Sequence, residues 1–412
     1  MLFFYNLSLR LYVLMLRLAA LFYPKAKYFI AGRKDWRHRL KQAVAKEQRP
    51  VVWMHCASLG EFEQGRPVLE AIRAQYPGYA LLLTFFSPSG YELRKNYSGA
   101  DMVFYLPVDS RSAAKSFLDI AQPELALFVK YEFWYYYLQT LKKRQIPTIL
   151  FSAYFQANQP FFKFYGGLYR RMLSCYQQIF VQDESSLKLL AQINVRQVQI
   201  AGDTRFDRAS KVLADLKPFP DVVTFKQQGK LLLAGSTWPE DEALLKSALP
   251  ALSAANYKIL LVPHEVGEVH IRRIMNLFGE AACLWDDAGL LQDKTVAVVN
   301  TVGHLSYLYQ YADVAWIGGG FGKGIHNILE PAVFGIPVFF GPKFQRFREA
   351  VDMIALKAVA SASEAGELVV ALKDDIALKT MGTNATNYVH TQLGATQKII
   401  GYLSLKCLRS TS

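Results

Sequence analysis

The chain has 412 residues, too many for one ordinary hydrophobic core, and 52% hydrophobic against 20% charged residues excludes a disordered protein. The formal net charge is +13, and nine of those charges fall in the first fifty residues, where eleven Lys and Arg face only Asp35 and Glu47. Four cysteines, Cys56, Cys175, Cys283 and Cys407, lie far apart without a CxxC or Cys/His cluster, which argues for a reducing compartment and against a structural zinc site.

The first element is MLFFYNLSLRLYVLMLRLAALFYP. A spanning helix wants about 18 residues with few charges, and Arg10 and Arg17 interrupt this run. At about 100° per residue, Asn6, Arg10 and Arg17 share one narrow wedge with apolar residues around the rest. This pattern predicts a helix lying in a membrane interface. A tilted anchor is the second choice, and a helix packed on its own domain the bland one. No small-residue cleavage pattern follows, so a removed signal peptide is not expected. Basic charge beside an apolar helix suits anionic lipid head groups at a cytoplasmic surface, and no nucleic-acid motif follows it.

From residue 50, short apolar runs alternate with helical patterns. Strands are predicted at 51–58, 80–87, 124–130, 148–153, 178–183 and 198–204. After a polar stretch with two prolines (211–229), they resume at 230–236, 257–263, 295–300, 314–319 and 336–341. Apolar strands without alternation are buried on both faces, so two parallel α/β domains in series are expected. The division is 1–48 membrane-associated segment, 49–210 first domain, 211–229 linker, 230–390 second domain and 391–412 C-terminal helix, packing back on the first domain.

Ligands of such sheets bind beyond the carboxyl ends of the strands, so the strand-end segments are the candidates for chemistry. In HCASLGEFEQ (55–64) a strand ends at Ser58, Gly60 permits a tight turn and a helix begins near Glu61. A carboxylate in a first helical turn is stabilised by the helix dipole, and at a strand end facing a cleft it is also a candidate general base. Glu63 is expected to be a solvated neighbour. KYEFWYY (130–136) puts Lys130 and Glu132 at a strand end, and AGDTRFD (201–207) puts Arg205 at the domain junction. Cations there neutralise a leaving phosphate, while the aromatic run is read as packing.

In the second half, LLLAGSTWPEDE (231–242) offers Ser236 or Thr237 as a helix cap or phosphate donor. LLVPHEVGEVH (260–270) places Pro263 and His264 after a strand, and His264 with His270 lacks further ligands at zinc spacing. GGGFGKGIHNILEPAVFGIPVFFGP (318–342) gives a strand, a glycine loop through Gly320 and a helix opening near His326. Its free N–H groups suit a phosphate, although neither the Walker pair nor G-x-G-x-x-G spacing is present. Glu330 lies where it accepts hydrogen bonds from ribose hydroxyls.

Taken together, these segments resemble the 3-deoxy-D-manno-octulosonic acid (Kdo) transferases of lipopolysaccharide synthesis. HxxSxGE matches as His55, Ser58, Gly60 and Glu61. The AGST segment, the strand ending in Pro-His, and GGxxxxxGxHNxLEPAxxGxPVxxGP follow in order. The resemblance implies a GT-B fold, two Rossmann-like domains with parallel sheets facing an interdomain cleft. It implies an inverting, metal-independent transfer of Kdo from CMP-Kdo to a lipid A precursor, lipid IVA, at the cytoplasmic side of the inner membrane. It implies Glu61 as the base, with Glu132 and Arg205 supporting the transition state. The nucleotide pocket maps onto Pro263 and His264, then Val302, Gly303 and His304, then Asn327, Ile328, Leu329 and Glu330. Four departures stand out: Lys130 replaces a first acid, His264-Glu265 replaces Arg-His, Asp203 replaces an asparagine, and Gly303-His304 replaces Gly-Glu. A UDP-sugar transferase or epimerase of the same fold is the first rival, and a non-catalytic membrane-surface protein the second.

Overall fold

The structure, a computed structural model, describes residues 1–287, 289 and 291–409. These residues form two compact units, one of residues 1–208 with the C-terminal segment from Leu393, the other Ala209–Gln392.

Unit 1 holds β1 (Val51–Cys56), β2 (Ala80–Phe85), β3 (Met102–Tyr105), β4 (Pro123–Val129), β5 (Thr148–Ala153), β6 (Gln178–Val181) and β7 (Val198–Ile200). They make one parallel sheet in the order β3-β2-β1-β4-β5-β6-β7. Every residue of β1, β2 and β5 is buried. Alternate residues serve opposite cores, as a period of two requires. Val51 and Trp53 pack with Phe117 and Tyr137, while Val52, Met54 and Cys56 pack with Phe62, Leu69 and Ile72. The C-terminal helix Ala395–Lys406 closes the second of these cores with Ile399, Ile400 and Leu403. Its start is pinned by Asp207, which accepts from the N–H groups of Gly394 (2.7 Å) and Thr396 (2.6 Å).

Unit 2 repeats the plan with β8 (Lys230–Thr237), β9 (Tyr257–Pro263), β10 (Ala282–Leu284), β11 (Val296–Val298), β12 (Val314–Ile317), β13 (Val338–Phe340) and β14 (Ala360–Ser361). Its parallel order is β10-β11-β9-β8-β12-β13-β14. The strands absent from the sequence reading are β3, β10 and β14, and β3, β10 and β14 all lie at sheet edges. The segment 211–229, read as a linker, contains the helix Pro220–Lys226, whose Val222 and Phe225 are fully buried.

The N-terminal helix Leu2–Ala19 is long and apolar enough to cross a membrane, and none of its residues is buried. It is nevertheless tied to unit 1 by polar bonds. Tyr5 donates to Asp109 (2.5 Å), and the Tyr136 hydroxyl donates to Asn6 (2.9 Å).

Candidate active site

In unit 1 the strand-end residues converge on the carboxyl ends of β1 and β4, which pair directly. Glu61 sits in the first turn of helix Leu59–Gln75 and is half-buried. The Ser58 hydroxyl donates to its carboxylate. Gly60 is not needed for space or backbone freedom. It has no positive φ, and a Cβ there would meet only Ser58 Oγ at 3.7 Å. The turn between β1 and this helix is made by Ala57 and Ser58 instead.

Glu132 follows β4 and is 4% exposed. Its Oε2 lies 3.0 Å from His55 Nε2 and accepts from Trp134 Nε1 at 2.6 Å. The Tyr176 hydroxyl donates to the Glu132 carbonyl. His55 Nδ1 faces the Thr84 carbonyl at 3.1 Å and Thr84 Oγ1 at 2.9 Å. The Trp134 indole N–H also reaches His55 Nε2 at 3.2 Å, so it is shared between the imidazole and the Glu132 carboxylate. Trp53 Nε1 closes the chain on Thr84 Oγ1 at 2.8 Å. This network was not read from the sequence, although FWYYY supplied Trp134. Burial pushes the Cys56 thiol up, and Glu61 then Glu132 push it further, which places both carboxylates around the end of β1. The Tyr131 hydroxyl is pushed up to about 12 by burial first, then by Tyr154 and Glu61. Lys130 takes a left-handed backbone (φ 68°) at the end of β4, with its ammonium over the Tyr131 ring at 5.4 Å.

Arg205 follows the edge strand β7, yet the chain doubles back there. Thr204 Oγ1 donates to the Gln64 carbonyl at 2.5 Å. Arg208 pairs with Glu63, which also meets Arg94 at 3.3 Å, so Glu63 is ion-paired and not merely solvated. Arg205 binds the buried Asp203 through Nε (2.9 Å), Nη2 (2.8 Å) and its backbone N–H (2.9 Å). Its guanidinium is therefore held by the acid that replaces the asparagine of the resembling pattern.

In unit 2 the expected pocket residues lie beyond the carboxyl ends of β9, β8, β12 and β11. Ser236, next to last in β8, has a left-handed backbone (φ 54°). After Pro263, His264 stacks on Trp238 at 4.8 Å and on His326 at 4.4 Å. The Trp238 indole donates to His326 Nε2 at 3.0 Å, so His326 presents its hydrogen on Nδ1. Burial lowers both imidazoles, His326 to about 4 with help from His264, and keeps them uncharged at neutral pH. The result is a flat aromatic surface suited to stacking. Trp238 and His326 were missed as site residues; the aromatic at the end of AGSTW was the available signal.

The glycine loop after β12 is fixed by Asp241, which accepts from the N–H of Gly319 (2.9 Å), the N–H of Trp238 (2.9 Å) and Trp316 Nε1 (3.1 Å). Gly320 is packed so closely on Gly341 that a Cβ would meet its backbone at 2.6 Å. The helix expected near His326 is a single turn, Leu329–Ala332. Asn327 Oδ1 instead organises the turn by accepting from the N–H of Leu329 at 3.1 Å, while its amide donates to Glu330 at 3.1 Å. Ile328 and Leu329 are buried packing residues. Glu330 and burial together hold the Tyr309 hydroxyl well above its ordinary range, burial being the larger cause. Val302 and Gly303 are exposed, and Gly303 has φ 94°. His304 packs edge-on against Phe219 at 5.6 Å. Among the described residues no His/Cys/Asp/Glu group could hold a metal ion.

A sequence model described as 3-deoxy-D-manno-octulosonic-acid transferase matches residues 34–208, the segment holding Glu61, Glu132 and Arg205. The 3-deoxy-D-manno-octulosonic acid transferase of Haemophilus influenzae is 28% identical over 74% of this chain and 73% of its own. That of Aquifex aeolicus is 26% identical over 76% of this chain and 84% of its own. Over most of its length the chain is similar to Kdo transferases. The two parallel sheets have the GT-B architecture. Its fold resembles a UDP-GlcNAc 2-epimerase from Neisseria meningitidis bound to UDP-GlcNAc, with a TM-score of 0.62 at 15% identity, covering 86% of this chain and 99% of the other.

Proposed function

We propose that this glycosyltransferase moves Kdo from CMP-Kdo onto a lipid A precursor, with inversion, at the cytoplasmic face of the inner membrane. Similarity to Kdo transferases over most of the chain supports the reaction class. Glu61, half-buried at the end of β1 with Ser58 as its hydrogen-bond donor, supports the role of base. It takes the proton from the acceptor hydroxyl as that oxygen attacks the anomeric carbon. The bond from that carbon to the phosphate oxygen breaks, and CMP leaves with the electron pair. Glu132 and Arg205 support the reacting centre, Glu132 through the His55 and Trp134 network and Arg205 as a cation. The cytidine is assigned to unit 2, with the base stacking near Trp238, His264 and His326 and Glu330 receiving ribose hydroxyls. Ser236, Gly303 and the loop from Gly320 to Asn327 line the phosphate side. The N-terminal helix associates with the membrane.

Mass spectrometry of a lipid A precursor after incubation with the purified enzyme and CMP-Kdo tests this reading. Product heavier by whole Kdo residues is expected. An unchanged acceptor, or transfer only from a UDP-sugar, contradicts it.

A further inference from the structure

The N-terminal helix carries two unlike surfaces side by side. One is apolar, with Phe3, Phe4, Leu14, Met15 and Leu18 each more than half exposed. The other is one wall of a groove of about 650 Å³, whose opposite wall is the chain from Val108 to Ser112 and Tyr136. Arg10 and Arg17 reach this groove from the helix, and Arg111 reaches it from the first turn of the helix Arg111–Ala121. All three arginines are exposed, and among the described residues none is ion-paired. The groove also contains Asp109, but its carboxylate is taken up by the Tyr5 hydroxyl (2.5 Å) and the N–H groups of Tyr136 (2.9 Å) and Tyr137 (3.1 Å).

Three guanidiniums converging without acidic partners form an anion site, because each presents a planar fork of donors that matches phosphate oxygens. We propose that the groove seats the phosphate of an anionic membrane lipid, with the lipid's apolar part beside the exposed stripe of the N-terminal helix. Leu14 belongs to both surfaces, which makes the basic groove and the apolar stripe continuous. That continuity favours a lipid head group over a free phosphate. Arg111 belongs to the body of the unit and not to the basic N-terminal segment, so the site is discrete rather than a diffuse cloud of charge.

Binding to phosphatidylcholine vesicles with and without phosphatidylglycerol tests this, with the full-length protein. Arg111→Gln and Arg17→Gln are each expected to weaken phosphatidylglycerol-dependent binding about fivefold or more, and Arg111→Lys less. Lys25→Gln, an equal loss of charge next to the exposed Leu21, Phe22 and Tyr23 but outside the groove, is expected to cost less than about twofold. Equal losses at Arg111 and Lys25, or none at Arg111, overturn the proposal. So does Arg111-dependent binding of inorganic phosphate together with vesicle binding that ignores Arg111. The readout is binding, so it stands apart from whether Kdo is transferred.

Discussion

His264, Trp238 and His326 show how burial tunes single residues on a surface proposed for the nucleotide. Both imidazoles titrate below the ordinary histidine value near 6.5, His326 at about 4, because burial disfavours the cation. The unfolded chain therefore binds these protons first as pH falls. The stability contributed by the uncharged rings is complete above about pH 6.5 and is lost toward about pH 4. Urea midpoints over that window should fall more steeply in wild type than in His326→Asn, whose amide oxygen still accepts from Trp238. Parallel slopes would show that His326 is not a source of the acid sensitivity. Residue-level legibility was uneven for a physical reason. Glu61, Glu132 and Arg205 were singled out because strand ends of such sheets are where chemistry is sought. The bonds around them were not legible: Thr84 reaches His55 from the neighbouring strand β2, while Trp134 and Asp203 stand two residues from Glu132 and Arg205, where sequence proximity alone does not say that the side chains meet.

At the scale of elements, the buried central strands declared themselves, and the edge strands β3, β10 and β14 did not. β1, β2, β5 and β9 are six- or seven-residue runs with near-complete burial. β10 and β14 have three and two residues and lie at the sheet edges. The glycine loop after β12 was visible as composition, but its purpose is packing as much as binding. Gly320 lies against the Gly341 backbone, and Gly319 has φ 91°. Gly320→Ala forces a methyl into backbone that has little room to retreat and is expected to destabilise unit 2 by about 1 to 3 kcal/mol. Chemical denaturation measures this, and a variant as stable as wild type would mean the loop relaxes freely. The helix proposed at His326 failed as an expectation because Asn327 folds its own side chain onto the N–H of Leu329, an Asx turn that competes with helix.

At the scale of the whole molecule, the sequence foretold a parallel α/β fold because doubly buried strands leave an unbroken apolar signature. It also placed Asn6, Arg10 and Arg17 in one wedge, and all three line the groove beside Arg111. Arg111 itself was illegible, since only folding brings it to the N-terminal helix. The proposed chemistry rests on Glu61 as the group that takes the acceptor's proton. Steady-state transfer from CMP-Kdo to a lipid A precursor, compared between wild type and Glu61→Gln, tests it most directly, with the melting temperature and its rise on adding CMP as controls. The prediction is a fall in kcat of about 10² to 10⁴ with both controls unchanged. A correctly folded, CMP-binding Glu61→Gln that turns over within about tenfold of wild type would contradict it.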